Sequence, residues 1–461
     1  MVNGAWLSVL SPWIWPTIYA VLCFVMAMGR GWSAFVFYPA AILFTVYSLI
    51  SIRPIFPTVV LETLHYDSMF FWGGLLLSLL FLVVGLMGYR SIHRPERWGL
   101  LLLLYLSALV VTATGNLLLL FVGLEMFFLI MVLWLAFFNH GQAQTGMIIR
   151  LLLNGAFATS FTVFGMAFLY GVCGSLDYSE IGLWSSQQPS LLYGFGLLFF
   201  LVGIFFKLSV VPFQHWTAEV YHDSGYPGLM VLATISKTVG VLILLKLFYH
   251  LPIPSQLLLI LAGLTMTVGN FAALAQRNVK RLIAFSSIAH VGFILMGIGS
   301  GNLDGFQAVA SYLLFYCLTL AVLLTLLMMV HSETDNLEEY NGLAQRHPLL
   351  ATVLGFLLLS LAGIPPTLGF LAKWKIFEAA FQSQHIGIIA VAALNSVVAA
   401  TYYLSWGFRL FMREGGTADW PSERQVVHTL MALLLLLFMI ALSLYPSWLF
   451  QLSRPLLAGI I

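Results

Sequence analysis

Charged side chains are scarce in this sequence. Only 8% of the 461 residues are Asp, Glu, Lys or Arg, whereas 61% are hydrophobic, and the mean hydropathy is +0.99. A soluble globular domain carries about 25% charged residues, which give it a polar surface. The composition therefore excludes a water-soluble protein and predicts a chain that is surrounded by lipid.

Cysteine clusters and glycine-rich phosphate loops are also missing. Cys23, Cys173 and Cys317 lie far apart in apolar runs, without the spacing of a zinc or iron–sulfur site. We interpret them as small buried hydrophobic residues. No glycine-rich loop follows a predicted strand, so a nucleotide site is not expected. The chain is predicted to bind no cofactor, and any redox chemistry connected with it is expected on another chain. The net charge of +2 comes without a basic run, and nucleic acid is not expected as a partner.

Long apolar runs fill the chain instead. A membrane-spanning helix needs roughly 20 apolar residues, which leaves room for about 14 spans. The first run has no basic segment before it, so we interpret it as a span and not as a signal peptide. We predict an all-α polytopic membrane protein with spans near 13–29, 33–52, 69–89, 98–114, 116–138, 145–173, 190–213, 227–249, 252–274, 279–300, 305–331, 349–381, 386–412 and 426–450.

Basic residues are concentrated on one side of these spans. The other side holds only Arg53, Arg454 and, near the end of its helix, Lys246. Because basic loops stay in the cytoplasm, the pattern predicts an inner-membrane protein with both termini outside. The residues on the cytoplasmic side are Arg30, Arg90, Arg94, Arg97, Arg277, Lys280, Arg281, Arg346, Arg409, Arg413 and Arg424.

Two predicted spans contain internal prolines. Pro212 lies in the seventh span, after Lys207, and Pro365 and Pro366 lie in the twelfth, before Lys373. Proline removes a backbone donor and clashes with the preceding turn, so both helices should break. Two discontinuous helices in corresponding positions are typical of transporters with inverted repeats and a hydrated interior. The alternative is that the prolines only bend lipid-facing helices.

Four charged residues are predicted deep in the membrane: Glu125, Lys207, Lys237 and Lys373. A charge at the bilayer centre costs at least about 2.5–3.5 kcal/mol, so these side chains must face each other, polar backbone or water. A buried lysine can give up its proton near neutral pH, which an arginine cannot. One carboxylate for three lysines favours a proton relay, in which a Glu125–Lys207 pair opens and closes. Static ion pairs between helices are the alternative.

Further polar residues extend the predicted proton path. His290, in the tenth span, is either a proton carrier or a hydrogen-bonded core residue. His215 and Glu219 follow the first break, where they either take up protons from the cytoplasm or cap a helix. Lys375 and Glu378 are spaced i,i+3 and should form a local pair.

Several short segments occur in the order of one known family. Through them the chain resembles the antiporter-like membrane subunits of bacterial proton-pumping NADH:quinone oxidoreductase (respiratory complex I), and subunit N in particular. The segments are FVGLE at 121–125, FKLSVVPF at 206–213, WT at 216–217, EVY at 219–221, ATISK at 233–237, GN at 269–270, NVKRL at 278–282, FSSIAH at 285–290 and LAGIPPTLGFLAK at 361–373.

This resemblance implies an architecture and a role. It implies 14 helices, with helices 1–3 at 1–97, inverted five-helix repeats at 98–250 and 251–413, and a last helix at 414–461. It implies that Glu125 pairs with Lys207, that Lys237 continues the relay and that Lys373 lies near the outlet. FMN, iron–sulfur clusters and quinone would bind to other subunits. The partners would be neighbouring membrane subunits and, indirectly, the NADH-oxidising arm.

The cytoplasmic segments depart from the family pattern. The histidine of the usual Pro-Phe-His-x-Trp is displaced by one position, to His215, and Arg150 stands where a lysine is common. An arginine there can snorkel to the interface but hardly relays protons. These departures indicate either a divergent complex I or a relative that serves another electron donor, such as a hydrogenase-type complex. Two further alternatives stay open: a cation/proton antiporter subunit and a non-catalytic membrane scaffold.

Overall fold

In a computed structural model of the protein, residues 3–28, 37–52, 58–60, 63–88, 92, 94–138, 142–187, 190–330 and 332–418 are described, with six positions between 433 and 443. The helices of this part are α1 (Asn3–Met28), α2 (Phe37–Ile52), α3 (Ser68–Gly88), α4 (Pro95–Ala113), α5 (Leu117–Phe138), α6 (Gln142–Cys173), α7 (Tyr178–Gln187), α8 (Leu191–Leu208), α9 (His215–Asp223), α10 (Tyr226–Met230), α11 (Lys237–His250), α12 (Ser255–Leu274), α13 (Val279–Gly299), α14 (Leu303–Met329), α15 (Leu343–Arg346), α16 (Pro348–Ala362), α17 (Leu368–Gln382) and α18 (Ile386–Met412).

The predicted spans correspond closely to these helices. Within the described residues, 10 helical segments are long and apolar enough to cross a membrane, and α1, α2 and α16 contain shorter apolar stretches. The chain is therefore a nearly all-helical, multi-pass membrane protein. The predicted span at 426–450 lies outside the described residues, apart from single positions.

Both predicted helix breaks are present. The first separates α8 from α9 and contains a cis peptide bond before Pro212; the second separates α16 from α17, with a cis bond between Pro365 and Pro366. One residue after the end of the preceding helix, Ser209 has a φ of +61° and Gly363 a φ of +81°. A left-handed residue at this position commonly ends a helix. The prolines thus interrupt their helices and do not merely bend them.

Two elements lie in segments that the sequence treats as connections. Strands β1 (Thr58–Val60) and β2 (Leu64–Tyr66) form a short antiparallel hairpin, which the β-branched residues of β1 favour. Helix α7 lies in the connection at 174–189, where it buries Tyr178 and Ile181. Amphipathic packing, and not length, stabilises such a short helix.

Packing divides the chain into two units, unit 1 with α1–α8 and α11, and unit 2 with α9, α10 and α12–α18. In unit 1, α4 packs against α1, α3 and α5. In unit 2, α12 packs against α13 and α18, and α14 packs against α17. The described part of each unit contains its own buried lysines. The inverted repeats at 98–250 and 251–413 stay a prediction.

Candidate proton-transfer site

An ion pair joins α5 and α8 within unit 1. Lys207, in the last turn of α8, has its Nζ 3.0 Å from Oε1 of Glu125 and donates a second hydrogen bond of 3.1 Å to the carbonyl of Leu124. The amine also lies 5.4 Å from the ring centre of Phe128. Both side chains are partly exposed, Lys207 to 12% and Glu125 to 23%. The predicted contact between Glu125 and Lys207 is therefore present.

Two acceptors share the amine of Lys207. Desolvation offsets part of the attraction in an ion pair that is largely removed from water, and Glu125 is not the only group that holds the amine. The Leu124 carbonyl provides a second acceptor beside the carboxylate. The geometry permits an opening and closing pair, and the role of the pair in transport stays a prediction.

Lys237 is the most buried of the predicted lysines, with 1% exposure. It is the first residue of α11 and directly follows a π-helical segment, Val231–Ser236. Insertions of π-helix are rare and frequently mark functional sites. Nothing in the composition of residues 231–236 indicated this segment, and sequence reasoning missed it.

Lys373 in unit 2 is held by the break itself. Its Nζ donates to the carbonyls of Leu361 (3.3 Å) and Ala362 (2.8 Å), the last residues of α16. These carbonyls have no partner within the helix, and the C-terminal end of a helix attracts a cation. The amine lies 5.1 Å from the ring centre of Phe293, and the residue is 4% exposed. In the described part of the chain, no carboxylate forms an ion pair with Lys373.

His290 of α13 is buried between two tyrosines of unit 2. Its Nδ1 lies 2.6 Å from the Tyr312 hydroxyl, and its Nε2 lies 3.3 Å from that of Tyr403. Both nitrogens therefore have a polar neighbour, as expected for a hydrogen-bonded core histidine. The same contacts would also serve a proton carrier, so both interpretations stay open.

The residues after the first break lie at the surface of α9. His215 and Glu219 are exposed, whereas the neighbouring Trp216 and Thr217 are buried. Gln214, which precedes α9, forms no side-chain cap, and the capping alternative for His215 and Glu219 stays open. Their role in proton uptake stays a prediction.

Two further predictions on local contacts can be compared with the structure. Lys375 Nζ lies 2.6 Å from Glu378 Oε2, which confirms the local pair on α17. Arg150 is exposed on α6 and donates to the carbonyl of Gly146, and its extension to the interface stays a prediction.

Two ion pairs were missed by sequence reasoning. Lys246, placed near the outer end of its helix, is in fact 4% exposed, and its Nζ lies 3.3 Å from Asp67 Oδ2. Lys280, taken as a loop charge, pairs with Asp335 at 2.9 Å. Their acids lie in connections, where no local pattern indicates a partner for a buried lysine. In the residues that the structure covers, no group of three or more His, Cys, Asp or Glu side chains could hold a metal ion.

The site residues lie in a segment that a known family model describes. The model of the NADH:quinone oxidoreductase/Mrp antiporter transmembrane family matches residues 114–399. This range contains Glu125, Lys207, Lys237, His290 and Lys373. The chain belongs to this family.

The chain is similar to members of this family that are subunits of larger complexes. NADH-quinone oxidoreductase subunit N from Geotalea uraniireducens is 36% identical over 362 residues, which cover 76% of each chain. A chain of respiratory complex I from Thermus thermophilus, in a structure with bound Aureothin, has a TM-score of 0.83 at 27% identity and covers 96% of this chain and 99% of its own. A chain of the Mrp complex from Dietzia has a TM-score of 0.85 at 19% identity, covering 100% and 98%, which shows the shared fold alone.

Proposed function

We propose that this chain is subunit N of a proton-translocating NADH:quinone oxidoreductase. It moves protons across the membrane through buried Glu, Lys and His side chains, while other subunits transfer electrons from NADH to quinone. The observation that carries the proposal is the Glu125–Lys207 ion pair, which lies within two apolar helices of a membrane protein. Family membership and the names of the similar relatives support the same function.

Each site residue has a role in this proposal. Glu125 controls whether Lys207 keeps its proton, because a paired ammonium is stabilised by the carboxylate and an unpaired one is not. Lys237 receives the proton from Lys207 within unit 1. Lys373 is the relay residue of unit 2 and carries the proton towards the outlet, with His290 nearby on α13. His215 and Glu219 take up protons at the cytoplasmic side.

The redox chemistry belongs to other subunits in this proposal. FMN, iron–sulfur clusters and quinone bind elsewhere in the complex, and this chain carries no redox centre. Its partners are the neighbouring membrane subunits, and the peripheral arm acts on it only indirectly. The complex is placed in the bacterial inner membrane, with both termini of this chain outside.

Substitution of the buried charges tests the proposal. In the native complex, Glu125→Gln, Lys207→Ala, Lys237→Ala and Lys373→Ala are expected to leave the subunit assembled and to lower proton pumping at least threefold. NADH-driven proton uptake into inverted membrane vesicles measures the effect, with Lys375→Gln on the exposed part of α17 as the control. Normal pumping by a Glu125→Gln, Lys237→Ala double variant would contradict the relay.

A cation/proton antiporter subunit is the second candidate, because the family model also covers Mrp antiporters. The relatives at 32–36% identity are all named subunit N, whereas the Mrp chain is 19% identical. Purification with native partners and mass spectrometry of the co-eluting chains separates the two. Flavoprotein and iron–sulfur subunits are expected, and their absence would favour the antiporter.

A further inference from the structure

Three connections of unit 1 meet at one end of its helices. Asn116, before α5, forms a bridge with Asp177, before α7. The hydroxyls of Thr114 and Tyr178 lie 3.1 Å apart, and the ring of Tyr178 lies 5.5 Å from that of His250 at the end of α11. The basic residues of the sequence predict that this end lies outside, opposite the cytoplasmic loops.

A buried ion pair lies just inside this end. Lys246 Nζ contacts Asp67 Oδ2 at 3.3 Å and donates a hydrogen bond of 2.9 Å to the carbonyl of Thr112, near the end of α4. The other carboxylate oxygen of Asp67 accepts the backbone N–H of Phe70 at 2.7 Å and so caps α3. Lys246 is 4% exposed and Asp67 is 22% exposed.

This arrangement repeats the one around Lys207 in the same unit. In both cases a buried amine contacts one carboxylate oxygen and one helix carbonyl, and the acid is more exposed than the lysine. The two sites lie at different depths, because Glu125 is eight residues into α5 from the outer end, roughly 12 Å along the helix. The second pair is thus the one nearer to the outer water.

We propose that Asp67 and Lys246 form the outer proton-exchange pair of unit 1. The inference rests on the proposed function and adds a site to it. The Lys246 ammonium gives its proton to the Asp67 carboxylate, which leaves a neutral amine and a neutral acid. Asp67, the exposed member, then loses this proton to the outer water and becomes a carboxylate again. Lys246 regains a proton from the interior of unit 1, where Glu125, Lys207 and Lys237 lie.

The competing interpretation is a static ion pair that joins α11 to the start of α3. Two variants distinguish a static pair from a proton-exchange pair. Lys246→Arg keeps the charge and the contact with Asp67, but an arginine does not release its proton. Asp67→Asn keeps an oxygen for the α3 cap, since asparagine is as good a capping residue as aspartate, but cannot carry a proton. Asp177→Asn is the matched control, because Asp177 lies at the same end, accepts from the Asn116 amide and has no lysine partner among the residues that the structure describes.

The experiment uses the complete complex in inverted membrane vesicles. The readouts are the abundance of assembled complex and the NADH-driven proton uptake for each NADH oxidised. We expect Lys246→Arg and Asp67→Asn to assemble at near wild-type levels, with proton uptake lowered at least threefold, while Asp177→Asn pumps normally.

The other outcomes are decisive as well. Wild-type uptake in Asp67→Asn overturns the proposal, whether or not Lys246→Arg assembles. Reduced abundance with normal uptake per assembled complex assigns the pair a purely structural role and also overturns it. Vesicles with Lys237→Ala, measured in parallel, identify a failure of the proposed function itself: normal uptake in that variant contradicts the relay as a whole and not only its outer pair.

Discussion

Lys207 and Lys373 both lie beside a proline-containing break, but their amines are held by different groups. Lys207 precedes its break and contacts a carboxylate, whereas Lys373 follows its break and contacts two main-chain carbonyls. A carboxylate can accept the proton of the amine, and a backbone carbonyl cannot. The proton of Lys207 therefore has an acceptor in direct contact, and that of Lys373 must leave to another group.

The difference follows from where each lysine lies relative to the free helix end. Carbonyls in the last turn of a helix lack intrahelical partners and attract cations. Lys373 lies on α17 and reaches back to the end of α16, so it uses these carbonyls as its partners. Lys207 is itself in the last turn of α8 and contacts a neighbouring helix instead. The free carbonyls of a helix end thus hold the charge of Lys373, whereas a side-chain carboxylate pairs with that of Lys207.

Of the variants that separate the two lysines, removal of Glu125 alone should lower the stability of the complex most. Glu125→Gln leaves Lys207 without its opposite charge, and breaking a buried pair from one side costs about 3–5 kcal/mol. The double variant Glu125→Gln, Lys207→Met removes both charges and should recover much of that stability without recovering pumping. Thermal unfolding of the purified complex measures the difference. Lys373→Met, which only leaves two carbonyls without a donor, should lower the free energy of unfolding by less, about 1–3 kcal/mol. Equal stability of the single and double variants would show that Lys207 does not depend on Glu125.

Gly363→Ala should have the next largest effect, because the added methyl group crowds the Lys373 side chain where its amine contacts the carbonyls of Leu361 and Ala362. An added Cβ would lie 2.8 Å from Cδ and 3.0 Å from Nζ of Lys373, at a φ of +81°. The strained backbone costs about 1–3 kcal/mol, and the amine must also move. We expect less assembled complex and lower pumping, measured in membrane vesicles.

Ser209→Gly is the matched variant for the first break. Ser209 already has a φ of +61°, so glycine relieves the backbone there, but it also removes the buried hydroxyl that accepts a 2.6 Å hydrogen bond from Thr217. The two effects oppose each other, so assembly should fall less than in Gly363→Ala. A Gly363→Ala complex that assembles and pumps like the wild type would mean that the contacts with the Leu361 and Ala362 carbonyls do not set the position of the Lys373 amine.

The deep charges and the helix breaks could be predicted from the sequence because both leave a local mark. A lysine in the middle of an apolar run is too costly to face lipid, and proline cannot continue a helix. The same cost requires that the deep charges face polar groups, but the choice of Lys207 as the partner of Glu125 was implied by the resemblance to the family.

The Asp67–Lys246 pair could not be predicted in this way. Lysine near a helix end normally extends to the interface, and Asp67 precedes α3 in a connection, so neither residue stood out. Their contact depends on tertiary packing that no local pattern encodes. The π-helical segment before Lys237 and the partners of Lys373 were missed for the same reason: they depend on backbone geometry and not on residue type.

The smallest expected effect concerns the group that takes the proton in unit 2. Since Lys373 has no carboxylate partner among the described residues, His290 is the candidate acceptor, and its two tyrosine contacts differ in length. Tyr312→Phe removes the 2.6 Å contact and should cost about 1 kcal/mol, with pumping lowered about two- to threefold. Tyr403→Phe removes the longer contact with His290, of 3.3 Å, and should lower pumping less than Tyr312→Phe. Proton uptake per NADH oxidised and the thermal unfolding midpoint are measured for both. If Tyr312→Phe lowers the midpoint while uptake stays normal, His290 is a core residue, and the proton of Lys373 takes a route that does not include it.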